Sequence, residues 1–267
     1  MSDKYSTKNR HGLKLVIQVD KPDNPTNLAF IAHGQGGFKE QEHIQAFADV
    51  FLENKFRVVR FDATHSIGES EGDIMDVTYT SYIEDLEDVI NWARTKEWFH
   101  QPFALCGHSM GGTSTAWYAQ HHAEEILCVA PLAAVVNFEV YDKFKKKQDP
   151  GFMEAWKEKG YFESESRSKP GVIKKVGWGV SEDLKKYDLL VDAKKLTMPV
   201  LLMAGDHDTS TPYEHQELLY EKIPSSNKKL VKIENADHGL WREGVGDKKY
   251  DDAKSAINNW LKDLIDT

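Results

Sequence analysis

Cysteine is scarce in this chain, long hydrophobic runs are missing, and basic residues are outnumbered by acidic ones. The two cysteines, Cys106 and Cys128, both fall in short apolar stretches. A disulfide framework or a metal site is therefore not expected, and both read as inert core thiols in a reducing compartment. The longest apolar run, Ile126 to Val136, is well short of the roughly 20 residues that a membrane helix needs. Met1 to Arg10 is polar and charged, with neither an apolar stretch nor a small-residue cleavage site, so no secretory signal is expected and a cytoplasmic location is the default. Lys and Arg number 34 against 43 Asp and Glu, a net charge of −9. That balance argues against nucleic acid or an anionic membrane as the main partner. No internal repeat or low-complexity tract is present, and no oligomeric state is specified.

What is present is a regular alternation. Apolar runs at Leu13 to Val19, Leu28 to Ala32, Phe56 to Phe61, Phe103 to Cys106, Ile126 to Ala130, Val200 to Ala204 and Lys229 to Ile233 have the length of strands. Between them Ile44, Phe47, Ala48 and Phe51, then Ile83, Leu86 and Ile90, and finally Ala253, Ile257, Trp260 and Leu261 recur at helical spacing. Alternation of this kind predicts an α/β fold, a mostly parallel sheet with helices on both faces. It breaks between Val136 and Asp192, where Lys, Glu and aromatic residues mix without a clear strand. The expected organisation is a core of residues 1–135 and 193–267 with an inserted cap, 136–192, folded over the carboxyl edge of the sheet. The lysines at 143 and 145–147 read as a solvated helix face.

Directly after the strand that ends at Cys106 comes Gly107-His108-Ser109-Met110-Gly111-Gly112, followed at once by a helical stretch. Strand, sharp turn and helix make a nucleophile elbow, in which the serine takes a strained positive φ and its neighbours two residues away must be small. A bare G-x-S-x-G arises by accident in roughly one chain in ten of this length, so the surrounding pattern has to decide. A serine hydroxyl needs a base to take its proton and a third group to hold that base. Asp208 follows the strand Val200 to Ala204, and His238 follows the strand Lys229 to Ile233. Both then lie on loops beyond the carboxyl ends of strands, where open sheets gather their sites. Asp206 is a rival acid, but alternation along the loop points it differently. Taken singly, Ser109 and Asp208 can be read as helix caps and His238 as a surface histidine; jointly those readings must explain three strand ends in one order.

The oxyanion needs two N–H donors. Met110, next to the serine, offers one. Gln35, in His33-Gly34-Gln35-Gly36-Gly37 after the strand Leu28 to Ala32, offers the other. A phosphate loop is excluded there because no G-x-x-x-x-G-K-[ST] is present. Residues expected to line a substrate pocket are His33, Trp156, Trp178 and Trp241; the alternatives are a packing role for His33, a core of the cap itself for Trp156 and Trp178, and packing beneath the loop for Trp241.

These segments, His33-Gly34, the Ser109 hexapeptide, Gly205 to Asp208 and Asp237-His238-Gly239, resemble the α/β-hydrolase superfamily across nearly the whole chain. Phe61-Asp62 with Gly68-Glu69-Ser70-Glu71-Gly72 is similar to a further segment of that fold, although Thr64-His65-Ser66-Ile67 replaces its usual glycine-containing piece. Within the superfamily the layout resembles bacterial carboxylesterases of the cinnamoyl and feruloyl esterase type. Gln35 and Met110 stand where that group often has an aromatic residue and glutamine, so aromatic acyl preference is not carried over. The resemblance implies a serine hydrolase acting on small-molecule esters, with Ser109 as nucleophile, His238 as base, Asp208 as its orienting acid, and no cofactor or metal. The same groups serve thioester, amide and peptide cleavage and cofactor-free perhydrolase chemistry. A ligand sensor with little turnover is the reading from outside enzymology.

Overall fold

The computed structural model describes residues 2–242 and 244–265. In chain order its strands are Ser2–Lys8 (β1), Lys14–Asp20 (β2), Asn27–Ala32 (β3), Phe56–Asp62 (β4), Phe103–His108 (β5), Ile126–Leu132 (β6), Tyr161–Glu165 (β7), Ile173–Gly177 (β8), Val200–Gly205 (β9) and Lys228–Ile233 (β10). The helices are Glu42–Glu53 (α1), Tyr79–Arg94 (α2), Met110–His121 (α3), Phe138–Gln148 (α4), Phe152–Lys159 (α5), Gly179–Leu184 (α6), Tyr213–Lys222 (α7) and Asp251–Ile265 (α8).

Eight strands form one sheet in the order β1-β2-β4-β3-β5-β6-β9-β10. From β4 to β10 every pairing is parallel, whereas β2 joins β4, and β1 joins β2, antiparallel. The physical reason is visible in β5. Alternate side chains leave a strand on opposite faces, and here both faces are covered. Phe103 and Leu105 enter a core shared with α2 and α3, while Ala104 and Cys106 enter one shared with α1 and α8. Strands buried on both sides must be apolar throughout, which is the pattern that parallel sheets show. Cys106 and Cys128 are free and buried in that second core, and burial pushes both thiols well up. Among the described residues no helix is long and apolar enough to cross a membrane.

Two elements escaped the sequence pattern. β1 is polar and almost wholly exposed, an edge strand held by its ladder with β2. Between β6 and β9, where no clear strand was expected, β7 and β8 pair as an antiparallel hairpin. Their Glu and Lys residues leave little apolar alternation to detect. That inserted segment has its own aromatic nucleus. Trp156 contacts Phe162, Trp178 and Phe152 at 4.8, 5.1 and 5.7 Å between ring centroids.

Candidate active site

The turn between β5 and α3 places Ser109 at φ 56°, ψ −120°. A non-glycine residue at positive φ is strained and needs surrounding structure to hold it. Here the Ser109 N–H donates to the Leu132 carbonyl on β6 at 2.9 Å, and the Ser109 carbonyl accepts the Thr113 N–H at 2.9 Å. The flanking glycines are required by contact. A Cβ on Gly107 would stand 2.2 Å from the Gly111 carbonyl oxygen, and one on Gly111 would stand 2.4 Å from the His33 carbonyl oxygen. Strand, elbow and the loop after β3 therefore touch backbone to backbone.

Asp208 is buried on the loop after β9. One of its oxygens accepts the Ser210 and Thr211 N–H groups at 2.7 and 2.8 Å, and the other meets His238 Nδ1 at 2.8 Å. Burial works to raise the carboxyl, but the adjacent His238 ring and these two N–H donors outweigh it and hold Asp208 below the ordinary carboxylate range. Asp206 is exposed. Contact with Asp208 gives His238 Nδ1 the proton and leaves Nε2 as the unprotonated nitrogen of the neutral ring.

His108, the residue before the serine, had no role in the sequence reading. Its Nε2–H donates to the His238 carbonyl at 2.6 Å, and its ring lies between those of His43 and His238, at 4.6 and 4.7 Å. Burial, with the neighbouring His238, pushes His108 down to about 3. It is a neutral strut that carries the His238 loop on the elbow itself.

Met110 opens α3, so its N–H has no acceptor within the helix. The loop after β3 runs directly beside the serine. A Cβ on Gly34 would lie 3.0 Å from Ser109 Cβ, and the Gly37 N–H closes a turn on the Gly34 carbonyl at 3.0 Å. Gln35 and Gly36 are the central residues of that turn, and their N–H groups are not spent in closing it. Two further donors fix the Gly34 carbonyl, namely His33 Nδ1 at 2.8 Å and the Tyr82 hydroxyl at 3.1 Å.

His33 was expected to line a pocket. It is 1% exposed instead. With Nδ1 on the Gly34 carbonyl, its Nε2 accepts the Ala63 N–H at 3.0 Å, which settles the tautomer, and burial lowers its pKa. Both ring nitrogens are occupied, so His33 ties two loops together rather than facing a ligand. Trp156 is likewise corrected. It is 4% exposed and donates to the Val176 carbonyl at 3.1 Å, as core of the inserted segment. Trp178 packs on it and donates to Glu182 at 3.0 Å. Trp241 lines an open groove with Glu40, Glu42 and Tyr250, by the starts of α1 and α8.

Beneath the loop lies a charge cluster of which the sequence showed only Asp62 and Glu69, as parts of a motif. Lys39 and Asp62 have fully buried side chains and meet at 2.8 Å. Asp62 also accepts the N–H groups of Lys39 and Glu69, at 2.7 and 2.8 Å. Lys39 reaches Glu69 at 2.6 Å, and the buried Arg60 donates to the Lys39 carbonyl and to Asp20. Gly68 is small because a Cβ there would stand 2.3 Å from the Asp62 carboxyl carbon. Among the described residues one group, His122, Glu124 and Glu125, brings three potential metal ligands within 4.8 Å. Glu125 already binds Arg94 and Tyr118, and the group lies beyond the far end of α3, roughly 18 Å along the helix from Ser109.

A mostly parallel sheet with helices on both faces, and a serine elbow at the carboxyl end of its middle strand, define an α/β hydrolase. Residues 23–173 and 175–244 match the family described as serine aminopeptidase, S33, and the chain belongs to it. It is 25% identical over 261 residues to the monoglyceride lipase of Rattus norvegicus, covering 88% of this chain and 83% of that one. An Escherichia coli protein described as an uncharacterized 31.7 kDa protein in the traX-finO intergenic region is 24% identical over 262 residues, covering 88% and 91%. Est1E from Butyrivibrio proteoclasticus, solved with ferulic acid bound, superposes with a TM-score of 0.79 at 21% identity over 98% of this chain and 100% of that one. At that identity the superposition shows the fold.

Proposed function

We propose that the protein cleaves carboxylic esters of small molecules through an acyl-enzyme on Ser109. The observation that carries this reading is the His238 Nδ1 to Asp208 contact of 2.8 Å, in a histidine loop strapped to a serine elbow at φ 56°. In this reaction His238 Nε2 takes the proton from Ser109 Oγ as the oxygen attacks the ester carbonyl. The imidazolium is held by buried Asp208. Charge on the former carbonyl oxygen is met in this proposal by the N–H groups of Met110 and Gln35, on the elbow and on the turn after β3. His238 then returns its proton to the departing alcohol. Water attacks the acyl group by the same route in reverse, and no cofactor takes part.

Residues 136–192 act as the cap in this proposal, and the protein works as a cytoplasmic enzyme on small-molecule substrates, without a nucleic acid or membrane partner. The monoglyceride lipase relative supports ester cleavage. The family description as a serine aminopeptidase favours a second reading, amide cleavage by the same groups. A fluorophosphonate should label the wild type and not Ser109→Ala, and the substitution should lower p-nitrophenyl butyrate hydrolysis by roughly 10⁴-fold or more. Folded wild type that takes no label overturns the mechanism. An aminoacyl p-nitroanilide cleaved faster than the ester selects the peptidase.

A further inference from the structure

The β7–β8 hairpin sends one cation to the loop that carries Gln35. A Cβ placed on Gly36, at φ 60°, would lie 2.8 Å from Lys174 Cδ and 3.7 Å from its Nζ. The lysine chain therefore lies against the Gly36 backbone, and glycine is what leaves it room. Among the described residues Lys174 Nζ has no hydrogen bond, ion pair or aromatic ring contact. Its neighbours on the hairpin are engaged. Lys175 lies over the Tyr161 ring at 3.8 Å, Lys169 donates to the Ile67 carbonyl at 2.7 Å, and Arg167 pairs with Asp237 at 2.8 Å. Burial, and then the charge of Arg167, pull the Lys174 pKa down, as expected for a partly buried cation with no counterion. A second donor without a partner occurs at the adjacent loop position, where Gln35 Nε2 is buried with no acceptor. Buried polar groups of folded proteins are normally satisfied, and one that is not calls for an explanation.

We infer that Lys174 and the Gln35 carboxamide form an anion-recognition subsite beside the oxyanion loop, so that the preferred substrates are esters bearing a carboxylate. The inference rests on the ester-cleavage reading and specifies its substrate class. A carboxylate oxygen takes a charge-assisted hydrogen bond from the ammonium group, and its second oxygen takes the Gln35 amide. Gly36 is two residues from Gly34, which abuts the serine, so under about 7 Å of backbone separates the two points.

The test compares kcat/KM for matched ester pairs. Mono-p-nitrophenyl glutarate against p-nitrophenyl valerate places the carboxylate on the acyl side, and 3-carboxyphenyl acetate against phenyl acetate places it on the alcohol side. The charged ester should be preferred in one pair. Lys174→Met should lower that charged-to-neutral ratio at least about tenfold, the scale of one charge-assisted hydrogen bond. Lys174→Arg should keep most of the ratio. Lys175→Met, which removes the same charge from the same hairpin, should leave it unchanged. A preference for the neutral ester in both pairs, or an equal fall in Lys175→Met, overturns the inference. The subsite can also be read without turnover. Millimolar glutarate should raise the Tm of Ser109→Ala, and butanol should not, and the shift should vanish on adding Lys174→Met. If no ester is cleaved but this shift is present, the ester reading fails and the subsite stands. If esters are cleaved and the shift is absent, the reverse holds.

Discussion

The two sides of the candidate site are fastened by opposite means. On the core side the loop from Gly34 to Gln41 rests on groups that have left water: Lys39 and Asp62, each with 0% side-chain exposure, and His33 with both nitrogens committed. On the other side the base of the hairpin is buried through Val176 in the core shared with α2 and α3, but its loop is attached by contacts that stay wet. Arg167, 77% exposed, reaches Asp237, and Ser168 accepts a bond from Gln41 at 2.9 Å. A buried charge that loses its partner is expensive, whereas an exposed pair is screened and weak. The difference teaches how the labour is divided. Groups proposed to stabilise a transition state sit on a frame that is costly to distort, and the hairpin loop beside them, held by Arg167 and Ser168, can shift at little cost.

The largest expected effect breaks the frame. Asp62→Asn keeps the shape of the side chain and removes its charge, leaving the buried Lys39 ammonium without that partner. Loss of one member of a buried pair costs about 3 to 5 kcal/mol when the other charge is left alone, and because Lys39 keeps the half-exposed Glu40 and Glu69 the lower end applies. Urea unfolding should show a fall of that order, and p-nitrophenyl ester hydrolysis should fall with it, because the Lys39 and Glu69 N–H groups lose their anionic acceptor. A loss below about 1 kcal/mol would mean that the core side is no stiffer than the hairpin.

Next in size is a pH effect confined to the same side. In the unfolded chain His108 titrates near its ordinary value of about 6.5, whereas the folded site holds it down to about 3. Between those values the unfolded chain binds a proton that the folded chain does not. Stability therefore falls as pH falls, by up to about 1.4 kcal/mol per pH unit for this one group. His33 and His43, lowered by burial, act in the same sense. Asp208 and Asp62 are depressed carboxylates, whose contribution is lost only below about 3.9, while Asp85, raised by burial, acts in the opposite sense, so it is the difference between wild type and a His108 variant from about pH 4.5 to 6.5 that isolates this histidine. His108→Gln still offers a donor to the His238 carbonyl and cannot titrate. Urea unfolding across that interval should give a stability slope shallower by about one proton, and an unchanged slope would show that His108 is not held neutral.

Legibility in the sequence followed the same division. Strands buried on both faces announce themselves, because both faces demand apolar side chains; β3, β5, β6 and β9 were all recognisable. β1 was not, because an edge strand made of Ser, Asp, Lys and Thr satisfies its backbone through β2 while its side chains stay in water. The elbow was legible because close approach demands glycine at 107 and 111. His33 and Trp156 were misplaced for a physical reason as well. A histidine or tryptophan suits a pocket wall and a packed interior equally, and only the partners of its ring nitrogens tell the two apart. The Lys39 to Asp62 brace is invisible as a pair, since its members are separated along the chain and meet only through the fold.

The smallest expected effect tests the wet side. Arg167→Ala removes an ion pair whose cation is largely in solvent, and exposed pairs contribute about 0 to 1 kcal/mol. Its unfolding free energy should stay within about 0.5 kcal/mol of wild type. Proteolysis should respond more than global stability does, because a hairpin with fewer clasps opens locally without unfolding the sheet. Limited trypsin digestion of Arg167→Ala should therefore cut sooner at Lys169 or Lys174, with the sheet and α3 intact. If Arg167→Ala instead costs as much as Asp62→Asn, the hairpin is part of the frame. The expectation then reverses, and substrates would enter without any movement of the segment between β6 and β9.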